Sequence, residues 1–131
     1  MNAPRWKMKI LGMIAAAFVA AMPALAQNAV KAGKFAGGSG HETSGSVQII
    51  ELDGAYVVRL GADFVQDGGA PDVIVGLGKD GYSEGSNLGP LISLTGAQDY
   101  AIPAGVDPAT FNEVWIWCKK FAVPLGVAKL N

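Results

Sequence analysis

The residues best suited to chemistry in this chain are one cysteine and one histidine. Cys118 is the only cysteine and His41 the only histidine among 131 residues. A single thiol excludes an internal disulfide. Structural zinc usually takes four Cys or His ligands, and blue copper takes two His and one Cys. Neither metal site can be assembled from this set of residue types.

Cys118 follows Val114 and Ile116 at a spacing of two, so the three side chains share one face of an extended strand. One interpretation is a small hydrophobic residue packed in the core, where a thiol is inert. The other is a reactive thiol activated by the adjacent Lys119 and Lys120. A leftover thiol in an exported protein is unusual, because oxidising compartments pair or oxidise exposed thiols. The residue types favour burial without excluding a redox role.

His41 lies in a glycine- and serine-rich stretch, residues 37–45, ahead of the first strongly apolar segment. It is either an ordinary loop histidine or a ligand to a metal or haem iron, with Cys118 as a candidate partner. Covalent c-type haem requires Cys-x-x-Cys-His, which is absent. A non-covalent haem can use histidine or thiolate. The remaining expectation is a non-covalent haem or no prosthetic group.

Other catalytic classes have little support. The acidic residues near turns are Asp63, Asp67, Asp72, Asp80 and Glu84. Aspartate is common in turns for backbone reasons, and the spacing matches no EF-hand, so a calcium site is only weakly indicated. A single histidine gives little support to a serine triad. No hydrolase site is therefore predicted.

Residues 76–81 spell Gly-x-Gly-x-x-Gly, the pattern of a dinucleotide-binding loop. That fingerprint requires a helix directly after its last glycine. Here the following residues, 82–87, have the composition of a loop, so we interpret the motif as a turn. Trp115, Trp117 and Tyr100 could form a binding face, although aromatic residues on strands are more often core.

The N-terminus has the three parts of a secretory signal peptide. Arg5, Lys7 and Lys9 precede an apolar run over residues 10–22, and Ala24 and Ala26 supply small residues for cleavage. The run is shorter than the roughly 20 residues of a membrane span. We predict cleavage between Ala26 and Gln27, export to the periplasm or medium, and a mature chain without a membrane span.

Residues 27–131 then form one domain. Three of the ten basic residues lie in the predicted signal, so residues 27–131 contain seven basic and eleven acidic residues. The four methionines also lie within residues 1–22. An acidic domain without a basic run argues against nucleic-acid binding.

Short β-branched segments separated by turn residues predict the fold. Residues 46–52 and 55–60 read as strands joined by Asp53-Gly54, a strong hairpin signal. Further strands are predicted over 72–77, 88–94, 100–102, 113–119 and 121–130, with one helical turn at 107–111 and a patternless lead-in at 27–34. The predicted class is all-β, an antiparallel β-sandwich or barrel-like single domain with at most that one helical turn.

Several segments together resemble the DM13 (DM-thirteen) electron-transfer domain, which occurs beside DOMON domains and alone in bacterial exported proteins. The most specific are 98–103, Gln-Asp-Tyr-Ala-Ile-Pro, and 114–118, Val-Trp-Ile-Trp-Cys. The others are Gly33-Lys34-Phe35, 41–47, Asp63-Phe64, 69–72, 75–77, 121–123 and 128–130, all in family order. The chain departs at Ala70, where glycine is usual, and at Leu125, where phenylalanine is usual.

The resemblance implies an electron carrier rather than a hydrolytic or nucleotide-dependent enzyme. Its cysteine, proposed in the family to act as a naked thiol or as a ligand to a group such as haem, corresponds to Cys118. Its upstream histidine corresponds to His41. A cytochrome or a DOMON protein is the implied redox partner. The competing hypothesis is a non-catalytic exported binding domain with Cys118 buried in the core.

Overall fold

The structure, a computed structural model, describes residues 28–131, which form ten β-strands and one short 3-10 helix. The strands are β1 (Asn28–Gly37), β2 (Thr43–Ser44), β3 (Ser46–Leu52), β4 (Ala55–Leu60), β5 (Val65–Gln66), β6 (Val73–Gly78), β7 (Tyr82–Pro90), β8 (Gln98–Ile102), β9 (Glu113–Cys118) and β10 (Val123–Lys129). The 3-10 helix spans Pro108–Thr110, and Asp107 caps it by accepting a hydrogen bond from the Ala109 amide, as the sequence predicts.

Eight strands form one antiparallel sheet in the order β7-β6-β9-β10-β1-β3-β4-β8. The two outermost strands, β7 and β8, approach each other, so the sheet curls into a nearly closed barrel. The short strands β2 and β5 pair separately, with Thr43 opposite Gln66. The all-β, barrel-like prediction is confirmed. The signal peptide predicted over residues 1–26 lies outside the described residues.

The lead-in predicted over residues 27–34 is wrong, because most of it belongs to β1, a central strand of the sheet. Gly33 pairs with Val47 of β3, and Phe35 pairs with Ala128 of β10. Phe35 is the only buried residue of β1, so its small and polar residues give no alternating pattern. The strand forms because its neighbours supply hydrogen-bond partners for its backbone.

The β3–β4 hairpin agrees with its predicted ends. Asp53 and Gly54 have φ values of 49° and 80°, the left-handed pair that a type I′ turn requires. The Gly-x-Gly-x-x-Gly segment comprises the end of β6 and the turn into β7, and a strand rather than a helix follows it. The strand predicted over residues 88–94 is misplaced, since β7 ends at Pro90 and residues 82–87 belong to it. The glycine and serine residues of β7 give no β-branched pattern from which this strand could be predicted.

The interior of the barrel holds the core. Its fully buried members are Phe64, Ile49, Leu60, Leu77, Ile116, Leu125, Val47, Val58, Val75, Val114 and Cys118. Phe35 and Phe64 pack edge to face, with ring centroids 5.5 Å apart. No helix in the part of the chain described is long and apolar enough to span a membrane.

Candidate functional site

Cys118 is the last residue of β9 and points into the barrel. It pairs with Val73 of β6 and Val123 of β10, and it belongs to the same apolar cluster as Val114 and Ile116. The residue is only 1% exposed. The shared face of Val114, Ile116 and Cys118 predicted from the spacing of two is confirmed, and the structure shows that this face points inward and buries the thiol.

A loop formed by residues 67–72, here called the covering loop, lies against this end of β9. The Cys118 Sγ–H donates to the Pro71 carbonyl oxygen at 3.1 Å. The next residue, Lys119, donates its amide to the Asp72 carbonyl at 3.0 Å. Ala70 packs on the core, whereas Pro71 is exposed. The thiol is therefore separated from solvent on this side by a loop.

The basic neighbours of Cys118 in sequence lie elsewhere in space. Alternation along the strand places Lys119 on the opposite face from Cys118. There it lines an outer cavity of about 320 Å³ together with Tyr82 and Trp117. The Lys120 ammonium lies 5.5 Å from the centroid of the Phe121 ring. The hypothesis that these lysines activate the thiol gains no support from their placement.

His41 lies just before β2, and its ring faces the start of the covering loop. The Nδ1 atom of His41 lies 2.8 Å from Asp67 Oδ1, and the amide of Glu42 donates to Asp67 Oδ2 at 3.0 Å. Hydrogen bonds from His41 first, then from the Glu42 amide, lower the pKa of Asp67 from 3.8 to about 2. A carboxylate only accepts hydrogen bonds, so Nδ1 of His41 carries the proton.

The covering loop contacts both candidate residues, one at each end. Asp67 bonds His41, and Pro71 bonds Cys118. Among residues 28–131 no hydrogen bond joins His41 directly to Cys118, and no group of three or more His, Cys, Asp or Glu lies together as a metal site. The structure thus links the two residues through a loop.

The aromatic residues divide between the two faces of the sheet. Tyr100 is a core residue, whose hydroxyl donates to Gln98 Oε1 at 2.5 Å and accepts from the Ile92 amide at 2.8 Å. On the outer face Trp117 stacks on Tyr82, with ring centroids 4.3 Å apart and an interplanar angle of 12°. A single aromatic face built from Trp115, Trp117 and Tyr100 therefore does not form.

Trp115 packs edge-on against Trp117, with ring centroids 6.2 Å apart. Its indole Nε1 is buried without a hydrogen-bond partner. It lies beside Gly78, where a Cβ atom would collide with the indole ring. Burial, reinforced by the charge of Glu84, raises the pKa of Tyr82. Tyr82, Trp115 and Trp117 thus pack on one another as an aromatic cluster on the outer face of the sheet.

The turn aspartates have mainly backbone roles, as their positions predict. Asp63 accepts hydrogen bonds from the amide and the hydroxyl of Ser46, which lower its pKa. Asp72 and Asp80 adopt left-handed backbone with φ values of 51° and 54°. Asp67 is different, because its side chain bonds His41. The sequence shows only that Asp67 precedes two glycines, and the hydrogen bond to His41 could not be predicted from that turn pattern.

A family model described as Electron transfer DM13 matches residues 34–130. The chain belongs to the DM13 family. No curated protein and no solved structure matches it. The match runs from within β1 to the end of β10, and it includes His41, the covering loop and Cys118. Membership in a family described by electron transfer supports a general redox role for this DM13 domain.

Proposed function

We propose that this DM13 domain is an exported redox or electron-transfer module and that the Cys118 thiol is its working group. The observation that carries the proposal is the position of the thiol inside the matched domain, at a strand end beneath a loop. Cys118 also provides the sole sulfur atom of residues 27–131. Export is supported by the signal pattern of residues 1–26.

The chemistry suited to a single thiol is exchange with a disulfide on a partner protein. Cys118 loses its proton, and its thiolate attacks one sulfur of the partner disulfide. A mixed disulfide forms as the partner S–S bond breaks, and the departing sulfur takes up a proton. A dithiol of an exported electron-donor protein completes the transfer. Its first thiolate attacks the Cys118 sulfur and releases the fully reduced partner, and its second thiolate then displaces Cys118 as the donor disulfide forms. The electron pair of the donor dithiol thus reaches the partner disulfide, and Cys118 is regenerated as a thiol.

A haem does not fit beside Cys118 as the side chains are packed. The thiol is 1% exposed and surrounded by core side chains, which leaves no space for a macrocycle on the sulfur. His41 borders a separate cavity of about 550 Å³, lined by residues 37–44 and not by Cys118. We therefore derive no step through haem, and we propose the thiol itself as the group that exchanges electrons.

The partner is proposed to be another exported redox protein. A cytochrome or a DOMON protein, as the family resemblance implies, is the first candidate, and the proposed exchange requires that it carry a disulfide. Its recognition would use the end of the barrel where β9, the covering loop and the β9–β10 turn meet, because the thiol lies closest to solvent there. Genes adjacent to that for this chain offer a direct way to find it.

The test combines a spectrum with thiol redox titration. The protein is purified from its native compartment, its absorption spectrum is recorded, and it is equilibrated with glutathione buffers of graded ratio. We expect one glutathionyl adduct at Cys118, reversed by reduced glutathione while the fold persists, and none in Cys118→Ser. A thiol that reacts only after denaturation, in a colourless protein, would overturn the proposal.

Burial of Cys118 favours a second candidate function, a non-catalytic binding domain in which the cysteine only fills the core. Under this hypothesis Cys118→Ala lowers stability modestly and leaves partner binding intact. Loss of electron transfer to the partner at retained fold and binding would instead support the redox function. Binding and electron transfer are therefore measured on the same variant.

A further inference from the structure

We propose that His41 is a positioning residue for Cys118. Through Asp67, His41 holds the covering loop in place and so sets how readily the thiol is exposed. The inference rests on the proposed function, because a thiol that is 1% exposed must be uncovered before it can exchange electrons. It gives His41 a role that does not require contact with the sulfur or with a prosthetic group.

The first step of the argument is the convergence of hydrogen bonds on Asp67. Its Oδ1 atom accepts from His41 Nδ1 at 2.8 Å, from Gln66 Nε2 at 3.2 Å and from the Gly69 amide at 3.3 Å. Its Oδ2 atom accepts from the Glu42 amide at 3.0 Å. The His41 imidazole gives the shortest of these bonds. One carboxylate thus ties the residues before β2 to the start of the loop.

The second step concerns the middle of the loop. Gly68 has a φ of 79°, and its amide donates to the Gln66 side-chain oxygen at 2.9 Å. The His41 ring lies over Gly69, since a Cβ atom there would be 3.1 Å from His41 Cε1. The imidazole therefore restrains the loop by packing as well as by its hydrogen bond to Asp67.

The third step is the far end of the loop. Pro71 accepts the thiol hydrogen bond, and Asp72 accepts the Lys119 amide. Only three residues separate Asp67 from Pro71 along the chain, so movement at one end is transmitted to the other. Local openings of this kind cost less free energy than global unfolding, and they expose the groups that the segment covers.

The His41–Asp67 pair is partly exposed to solvent. The side chains of His41 and Asp67 are 23% and 34% exposed. Because solvent screens a partly exposed pair, its loss should loosen the loop rather than unfold the domain. A solvent-screened hydrogen bond of this kind contributes no more than an ordinary one, so its loss should change the opening equilibrium by about five- to tenfold.

The test measures the rate at which N-ethylmaleimide, a probe that requires access but no redox chemistry, alkylates Cys118 in the folded protein. His41→Leu should raise the rate about five- to tenfold. Asp67→Asn keeps an acceptor for His41 but loses the one for the Glu42 amide, so it should raise the rate to a smaller extent. His41→Asn should stay near the wild-type rate, because its side-chain amide can replace Nδ1 as donor. Gly69→Ala, which crowds the imidazole ring with a Cβ atom 3.1 Å from His41 Cε1, provides a second perturbation if His41→Leu folds poorly.

The matched control is Asp99→Asn, which removes another exposed carboxylate from an ion pair. Asp99 accepts from Arg59 Nε at 2.8 Å and lies on β8, away from the covering loop. It should leave the alkylation rate within about twofold of wild type. Urea dependence separates local from global opening, because opening of the loop exposes little surface and gives a shallow slope.

Three results would overturn the positioning role. They are an unchanged rate in His41→Leu and Asp67→Asn, an increase that follows global unfolding with its full urea slope, and a failure of His41→Asn to restore the rate. The proposed function is tested separately by reversible glutathionylation. A faster alkylation rate in His41→Leu without reversible exchange in the wild type would refute the redox function and keep the positioning role.

Discussion

Replacement of Cys118 by alanine removes one sulfur atom from a fully buried position. Burial of an atom group of that size contributes about 0.8 kcal/mol. The cavity left behind, about 25 Å³, adds about 0.6 kcal/mol at 24 cal/mol per Å³. The Pro71 carbonyl adds little, since Pro71 is exposed and water can replace the thiol as donor. We expect Cys118→Ala to lower the free energy of unfolding by about 1.5 kcal/mol.

The assay is urea denaturation followed by tryptophan fluorescence, with wild type, Cys118→Ala and Ile116→Val compared. Ile116 lies on the same inward face of β9 and is also fully buried, so its loss of one methylene provides a calibration of about 1 kcal/mol. The urea slope should be unchanged, because the surface exposed on unfolding hardly changes. Thermal melts should show a fall in Tm of about 6 °C.

A stability change below about 0.5 kcal/mol in Cys118→Ala would refute this reasoning, because surface substitutions have effects of that size. It would mean that the thiol is not packed as the structure shows, and the covering loop would lose its significance. A loss as large as that of a leucine-to-alanine change, about 3 kcal/mol, would mean that the thiol hydrogen bond matters far more than we infer.

Three further outcomes are expected. The pKa of Asp67 is about 2 in the folded protein against an ordinary 3.8, so the stabilisation that its carboxylate provides is present above pH 4 and is lost as pH falls through 2. The urea midpoint should therefore fall less at acid pH in Asp67→Asn than in the wild type. Gly126→Ala should destabilise the domain by about 1–3 kcal/mol in urea melts, because the new Cβ meets the Thr43 side chain. Tyr82→Ala should shift tryptophan emission to longer wavelength by exposing Trp117, whereas Tyr82→Phe should not.

Each of these three predictions would be contradicted by a specific result. An equal acid-side fall in wild type and Asp67→Asn would show that other carboxylates, such as Asp63 and Asp99, account for the pH dependence. An unchanged midpoint in Gly126→Ala would mean that Thr43 can move aside freely. Identical emission spectra for Tyr82→Ala and the wild type would contradict the stacking of Tyr82 on Trp117.

Much of the fold follows from local sequence. The Asp53-Gly54 turn and the spacing of Val114, Ile116 and Cys118 were enough to predict the β3–β4 hairpin and the shared face of these three side chains on β9. β1 could not be predicted, because its small and polar residues carry no period and its strand character comes from pairing with β3 and β10. Tertiary pairing decides strand formation there more than intrinsic preference does.

The candidate site shows the same division. Residue type identified Cys118 as the candidate, and alternation placed it on one face with Val114 and Ile116, but whether the thiol is buried stayed open until the structure was known. The hydrogen bond of His41 to Asp67 could not be predicted, because the two residues are 26 positions apart and no pattern in the sequence pairs them. The contact forms because β2 pairs with β5, two strands of two residues each that local sequence does not reveal.

The pairing of β1 with β10 has a consequence for folding kinetics. Phe35 pairs with Ala128, and Ala32 exchanges backbone hydrogen bonds with Asn131 at 3.1 and 2.9 Å, so the first and last described strands meet in the middle of the sheet. Contacts so distant in sequence give high contact order and slow folding. The barrel cannot close until β10 is available, and a chain crossing a membrane amino end first would stay unfolded until its last strand emerged.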